Sequence, residues 1–226
     1  MLNRQARLLH YRIQRASPDH ETERGRLSQR MVANRCHYEL WKNGVHHRDV
    51  SPSNLMVYKT SDGRWIGLLN DFDLSSARDT PSGQERTVPF MAMELLTEAA
   101  IEGQVKYLYQ YDAESFIWVL VYVCLCYERG MFIGKRSPLN AWLRADAVEC
   151  RMRKNHFLTF GRQTAEPTPS HGGIRKMARS CLLTVVQHHV PELVPALEDH
   201  VVFQTWLRKN ILEAKILSPA LLDVRL

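Results

Sequence analysis

Phe116 to Cys126 reads Phe-Ile-Trp-Val-Leu-Val-Tyr-Val-Cys-Leu-Cys, apolar on nearly every face. A helix with one apolar stripe can lie on a surface, but a helix apolar all round must be buried on all sides. Extended to Tyr127, this is the longest apolar run of the chain, and it is too short to cross a bilayer. The remaining residues therefore have to wrap it. Tyr111 to Tyr127 is predicted as the central helix, with Asp112 as N-cap and Ser115 three residues on, where Glu or Gln would complete a capping box. A chain of 226 residues, 45% hydrophobic and 24% charged, can build such a core in one domain.

The wrapping elements are mostly helical in pattern. Ser28 to Asn43 offers Met31, Cys36, Leu40 and Trp41 as a partial apolar face and stops at Asn43-Gly44. Phe90 to Ala100 reads as a short helix. Leu139 to Arg153 reads as another, with Trp142, Leu143, Ala147 and Val148 spaced for one face. Gly161 to Gly173 carries Pro167, Pro169 and paired glycines and is predicted as a loop. Ile174 to His189 follows, with Met177, Cys181, Leu182, Val185 and Val186 as core candidates, and Pro191 and Pro195 end it. Glu198 to Leu217 is the last predicted helix. There is no internal repeat. The expected class is mainly α (α+β): a helical base carrying one small hairpin.

That hairpin lies in the most chemically loaded stretch, His47 to Asp71. Leu55–Tyr58 and Trp65–Leu69 are short apolar runs joined by a polar link containing Asp62-Gly63, a strong hairpin signal. A hairpin returns Asp71 to the end of the sheet that Asn54 left, with Asp49 just before it. Three oxygen-bearing side chains then converge at one edge. Such a set suits Mg²⁺, which is held by one or two protein groups plus substrate phosphates. It also leaves one carboxylate to orient a hydroxyl or accept its proton. Taken singly, each residue reads as an ordinary turn or strand-end Asx; the joint pattern favours a site. His46 and His47 with Asp49 do not have the spacing of a zinc motif.

Charge and cysteines narrow the partners. The net charge is +6, with Arg4, Arg7, Arg12 and Arg15 preceding the first acid, Asp19. Leucines and Ile13 are interleaved there, so residues 1–18 suit either a mitochondrial-type presequence or a solvated basic helix, the second being the commoner. Residues 1–27 are read as a basic, polar N-terminal segment and 28–226 as the folded domain. No alternating aromatic-basic pattern for nucleic acid is present. The five cysteines, Cys36, Cys124, Cys126, Cys150 and Cys181, are odd in number and scattered, which suits free thiols in a reducing, intracellular compartment, cytoplasm or nucleus.

Three motifs in order carry a resemblance. His47-Arg48-Asp49 followed by Asn54 resembles the protein kinase catalytic loop, Asp71-Phe72 the start of the metal-binding D-F-G, and Thr87-Val88-Pro89-Phe90-Met91-Ala92-Met93-Glu94 the segment ending in A-P-E. The wording is closest to the fungal-type protein kinase family, with Asp73-Leu74 after Phe72, Ser51 after the catalytic loop aspartate, and Asp112-Ala113-Glu114-Ser115-Phe116 like that family's D-x-E-S-F. The resemblance is good over residues 31–130 and looser beyond.

It implies a kinase-like large lobe that uses ATP and Mg²⁺ to phosphorylate protein Ser/Thr hydroxyls. By resemblance, Asp49 orients the hydroxyl, and Asn54 and Asp71 hold the metal and nucleotide. His47 packs beneath the loop, and Arg48 pairs with a phosphate or acid on the Leu74–Thr87 segment. Thr87 supports the loop and peptide site. Glu94 forms an ion pair with a downstream arginine, Arg153, Arg175 and Arg179 among the candidates. Asp112 hydrogen-bonds the catalytic-loop backbone. Two departures stand out: Ser51 replaces the lysine that steadies the transferring phosphate in most Ser/Thr kinases, and Asp73 stands where most have Gly. The residues before His47 contain no G-x-G-x-x-G and no strand of the V-A-I-K kind, so the expectation is a large lobe with its small lobe largely absent, truncated and inactive alone. Two rivals follow: a non-catalytic lobe that docks a protein partner, and a small-molecule phosphotransferase of the aminoglycoside or choline kinase kind. Arg48 and the Pro89–Glu94 segment weigh against the last.

Overall fold

The computed structural model describes residues 33–59, 61, 65–72, 88–134, 137–189 and 197–212. Among these the protein is mainly helical, with two small antiparallel hairpins. Helix α1 (33–42) ends at Asn43-Gly44, where Gly44 takes φ +80°. Its buried face is Ala33, Asn34, His37 and Tyr38, while Cys36 and Leu40 are exposed. The expected face was out of phase because two polar residues, Asn34 and His37, occupy the inner side.

Strands β1 (Leu55–Lys59) and β2 (Trp65–Leu69) pair antiparallel with Leu55 opposite Leu69 and Met56 opposite Leu68. Alternation puts the Leu55 side on the core and the Leu68 side outward. The Asp62-Gly63 turn lies outside the described residues, as does 73–87.

The predicted helix Phe90–Ala100 is three short pieces: turns of 3₁₀ helix at Val88–Phe90 and Met93–Leu96, then α2 (Glu98–Ile101), whose first turn Thr97 caps by accepting from the Ala100 amide. The central helix α3 runs Tyr109–Cys126, and every residue of it but Gln110 is buried. It starts earlier than predicted. Leu108 is the N-cap, and Asp112 sits in the first turn with its carboxylate drawn inward to other donors instead of capping. Ser115 bonds back to the Tyr111 carbonyl.

After α3, strands β3 (Tyr127–Glu128) and β4 (Met131–Phe132) form a two-residue hairpin over Arg129-Gly130, both at positive φ as such a turn requires. The predicted helix Leu139–Arg153 is split. A 3₁₀ stretch Asn140–Arg144 ends at Ala145, and Asp146 caps a new helix α4 (Ala147–His156) by accepting from the Glu149 amide. Trp142 is buried, but Leu143 and Val148 are exposed. A π-helical turn Phe157–Gly161, α5 (Arg162–Thr164) and a 3₁₀ stretch Pro169–Ile174 occupy most of the predicted loop. Helix α6 (Arg175–His188) buries Met177, Cys181, Leu182 and Val185 as expected. The Pro191–Pro195 break lies outside the described residues. Helix α7 (Asp199–Val202) continues with π-type bonding through Phe203–Leu212.

α6, α7, the Val88–Phe90 turn and the Phe203–Leu212 stretch all pack on α3. Trp118 stands edge-on to Trp142, and Trp142 to Phe157, which ties α3 to the α4 region. Among the described residues no helix is long and apolar enough to cross a membrane. Cys124, Cys126, Cys150 and Cys181 are buried free thiols, and Cys36 is a free thiol at the surface.

Candidate active site

The loop 45–54 is held from beneath by a buried carboxylate. Asp112, with no exposure, accepts from Tyr107 Oη at 2.6 Å on Oδ1; its Oδ2 meets His37 Nε2 at 2.8 Å and the Arg48 amide at 3.4 Å. Burial alone would raise its pKa. The hydrogen bonds and charge of His37, and the Tyr107 hydroxyl, outweigh that and hold the carboxyl below its ordinary value. The amide contact fastens a strained residue: Arg48 has φ +67°, in the left-handed region that a side chain disfavours. Its guanidinium lies 5.3 Å from the Tyr107 ring centre.

His47 is fully buried and bridges the loop to the far strand. The Asp49 amide donates to His47 Nδ1 at 3.2 Å, so Nε2 carries the proton and donates to the Asn70 carbonyl at 2.8 Å. Burial keeps the ring's pKa low and the imidazole neutral. Phe72 stands edge-on to it, with centroids 4.6 Å apart.

Asp49 and Asn54 are joined directly. Asn54 Nδ2 donates to both Asp49 Oδ2 and the Asp49 carbonyl at 2.9 Å, so Asn54 Oδ1 takes no part in that link. The Asn70 amide donates to the Asn54 carbonyl at 2.8 Å and closes the open end of the hairpin. Asp71 is the next residue, exposed and at φ +68°. Two non-glycine residues in the left-handed region thus flank one sheet edge, the kind of local strain that concentrates at functional sites. Asp49, Asn54 and Asp71 carry side-chain oxygens, the ligand type a hard divalent cation takes, while among the described residues no group of three or more His, Cys, Asp or Glu is placed to hold a metal ion.

The other expected site residues fall differently. Thr87, and the segment expected to meet Arg48, lie outside the described residues. Glu94 is half-buried and makes no ion pair among the described residues. The named arginines are engaged elsewhere: Arg153 on Glu149, Arg175 on Glu166, and Arg179 on the Gln163 carbonyl. The missed residues are His37 and Tyr107, which complete the Asp112 cluster, and Lys154 in α4. Lys154 follows Cys150 by four and precedes Phe157 by three, so the helical phase counted from the Asp146 cap already put it inside.

Asp49 and Asn54 are thus hydrogen-bonded to each other, and Asp71 follows directly on the end of the adjacent hairpin. Residues 32–124 match the family described as fungal protein kinase, covering α1, the loop, the hairpin and nearly all of α3, the stretch in which the motifs lie. The match is a similarity over residues 32–124, less than half of the 226-residue chain. No curated protein matches the chain.

Proposed function

We propose that residues 28–226 form a protein kinase-like large lobe that takes part in transferring the γ-phosphoryl group of ATP to a protein Ser or Thr hydroxyl. The observation that carries this reading is the Asp49–Asn54 hydrogen bond, set on a backbone that Asp112 and His47 fasten on either side. Asp49 receives the hydroxyl and takes its proton; the tie to Asn54 keeps its carboxylate turned toward the hairpin edge. Asn54 Oδ1 and Asp71 are the groups that would hold Mg²⁺, which supplies neutralisation of the phosphate charge. Neutral His47 keeps loop and strand in register without competing for that proton. The five free thiols suit a reducing compartment.

A second reading keeps the fold and drops the chemistry. Leu68 is 44% exposed on the outer face of the hairpin, opposite Met56, which gives a partner protein an apolar surface beside the loop. Titration calorimetry with ATP·Mg²⁺ separates the two. The catalytic reading expects saturable binding by the wild type, lost in Asp71→Ala. It also expects binding retained but phosphotransfer lost in Asp49→Asn, assayed with a kinase small lobe supplied in trans. A wild type that binds no nucleotide under either condition refutes the catalytic reading and leaves the docking one.

A further inference from the structure

A second set of charged groups lies on the side of α3 away from the loop. Lys154 is fully buried, and its Nζ donates to the Met91 carbonyl while lying 4.6 Å from the Trp118 ring centre and 5.8 Å from that of Trp142. One turn earlier on α4, Arg151 Nε donates to the Met93 carbonyl at 3.3 Å. From α3, Glu114 Oε1 accepts the Met93 amide at 2.9 Å and Trp118 Nε1–H at 2.8 Å, and Glu114 Oε2 meets His189 Nε2 at 3.2 Å. Three main-chain polar groups, the Met91 carbonyl and the Met93 amide and carbonyl, are therefore bonded to charged side chains from two helices.

Neutral backbone groups do not need this. A regular turn would satisfy them, whereas a buried ammonium and a buried carboxylate are costly to keep. Burial draws the Lys154 ammonium down to about 8, with Cys150 and the Glu114 carboxylate nearby acting the other way; its Nζ is met by the Met91 carbonyl and the faces of two indoles. The segment it grips, Val88–Leu96, is otherwise two short 3₁₀ turns with few bonds of their own.

We propose that Lys154, Arg151 and Glu114 are positioning residues that latch Met91–Met93 and so fix the surface of Val88–Leu96 against which a protein substrate lies. The latch itself stands on the geometry; the role toward a substrate rests on the phosphotransfer reading above.

Hydrogen exchange followed by mass spectrometry on the full chain tests the latch without nucleotide or substrate. In Lys154→Met, the amides of Met91, Leu95 and Thr97 are expected to exchange about tenfold faster, while those of α3 and of Asn54–Leu55 keep their rates. Lys154→Arg, which keeps a charged donor, is expected to restore part of the protection. Unchanged exchange in Val88–Leu96 overturns the proposal, and so does an acceleration shared equally by α3, which would mark a merely structural lysine. Should Lys154→Met fail to fold, Arg151→Met, cut at an exposed residue, is expected to give the same pattern at about threefold. Where wild-type phosphotransfer is measured, Lys154→Met raises KM for the protein substrate and leaves KM for ATP unchanged. Equal rises in both refute the substrate role. A wild type without phosphotransfer even when a kinase small lobe is supplied in trans refutes the function reading, and the exchange result still decides the latch.

Discussion

Replacing Asp112 by alanine removes one acceptor from three donors at once. Hydrogen bonds to a charged group contribute about 1.5–3 kcal/mol each, and the contacts with His37 at 2.8 Å and Tyr107 at 2.6 Å are of full strength. The Arg48 amide at 3.4 Å is near the outer limit and adds less than about 1 kcal/mol. Against this, freeing Arg48 from φ +67° returns about 1 kcal/mol of backbone strain. The net loss for Asp112→Ala is therefore about 3–5 kcal/mol, well above the ~1 kcal/mol of a helix-end aspartate that only caps or meets the dipole. Asp112→Asn keeps the shape. Its amide can donate to a rotated Tyr107 hydroxyl while its oxygen serves His37 and Arg48, so only the charge is lost and the cost falls to about 1–2 kcal/mol. Urea unfolding at neutral pH reads both, with unchanged m-values as the check that the denatured state is the same. A loss below about 1.5 kcal/mol for Asp112→Ala, or equal losses for the two variants, would refute the three-donor account.

Three further outcomes are expected. Burial pulls the His189 imidazole down, but its bond to Glu114 and that group's charge raise it above its ordinary value overall. Its stabilisation is thus fully present below about pH 6.5 and is lost as pH rises through the higher folded value. The difference in urea midpoint between wild type and His189→Gln should shrink across that window, and a difference independent of pH counts against it. Native protein should show one fast thiol with a disulfide reagent, at Cys36, because burial pushes Cys126 up to about 11 and Cys181 up to about 12 and closes off Cys124 and Cys150; rapid labelling that survives Cys36→Ser contradicts this. Leu55→Ala should cost about 2–5 kcal/mol by thermal or urea unfolding, whereas Leu68→Ala on the outer face should stay within about 0.5 kcal/mol, and comparable losses would mean the hairpin faces have been misassigned.

Periodicity made the strong elements legible. The run from Phe116 to Cys126 could only be a buried helix, and two apolar runs around Asp62-Gly63 could hardly be anything but a hairpin. Phase and boundaries were less legible where polar residues face inward. Asn34 and His37 turn α1 away from the face that Cys36 and Leu40 suggested, because His37 has a buried carboxylate to meet. Asp112 looked like a cap and is instead an interior acceptor, so α3 begins at Tyr109. Asp146, an ordinary N-cap residue, divides Leu139–Arg153 in two. In the site, Asp49, Asn54 and Asp71 came from motif spacing. Tyr107 carried no signal of its own, since its role exists only once Asp112 has turned inward.

Asp112 and Glu114 are two residues apart, so they leave α3 about 200° from each other. One reaches Arg48, the other Met93. A single turn of one helix therefore registers both the catalytic-type loop and the Val88–Leu96 segment. For a sequence that drifts, this means epistasis: substitutions packed against that turn shift both loops together. A change tolerated near Arg48 in one background should prove intolerable in another that differs only around Met93, and compensating pairs should be found across the helix rather than along it.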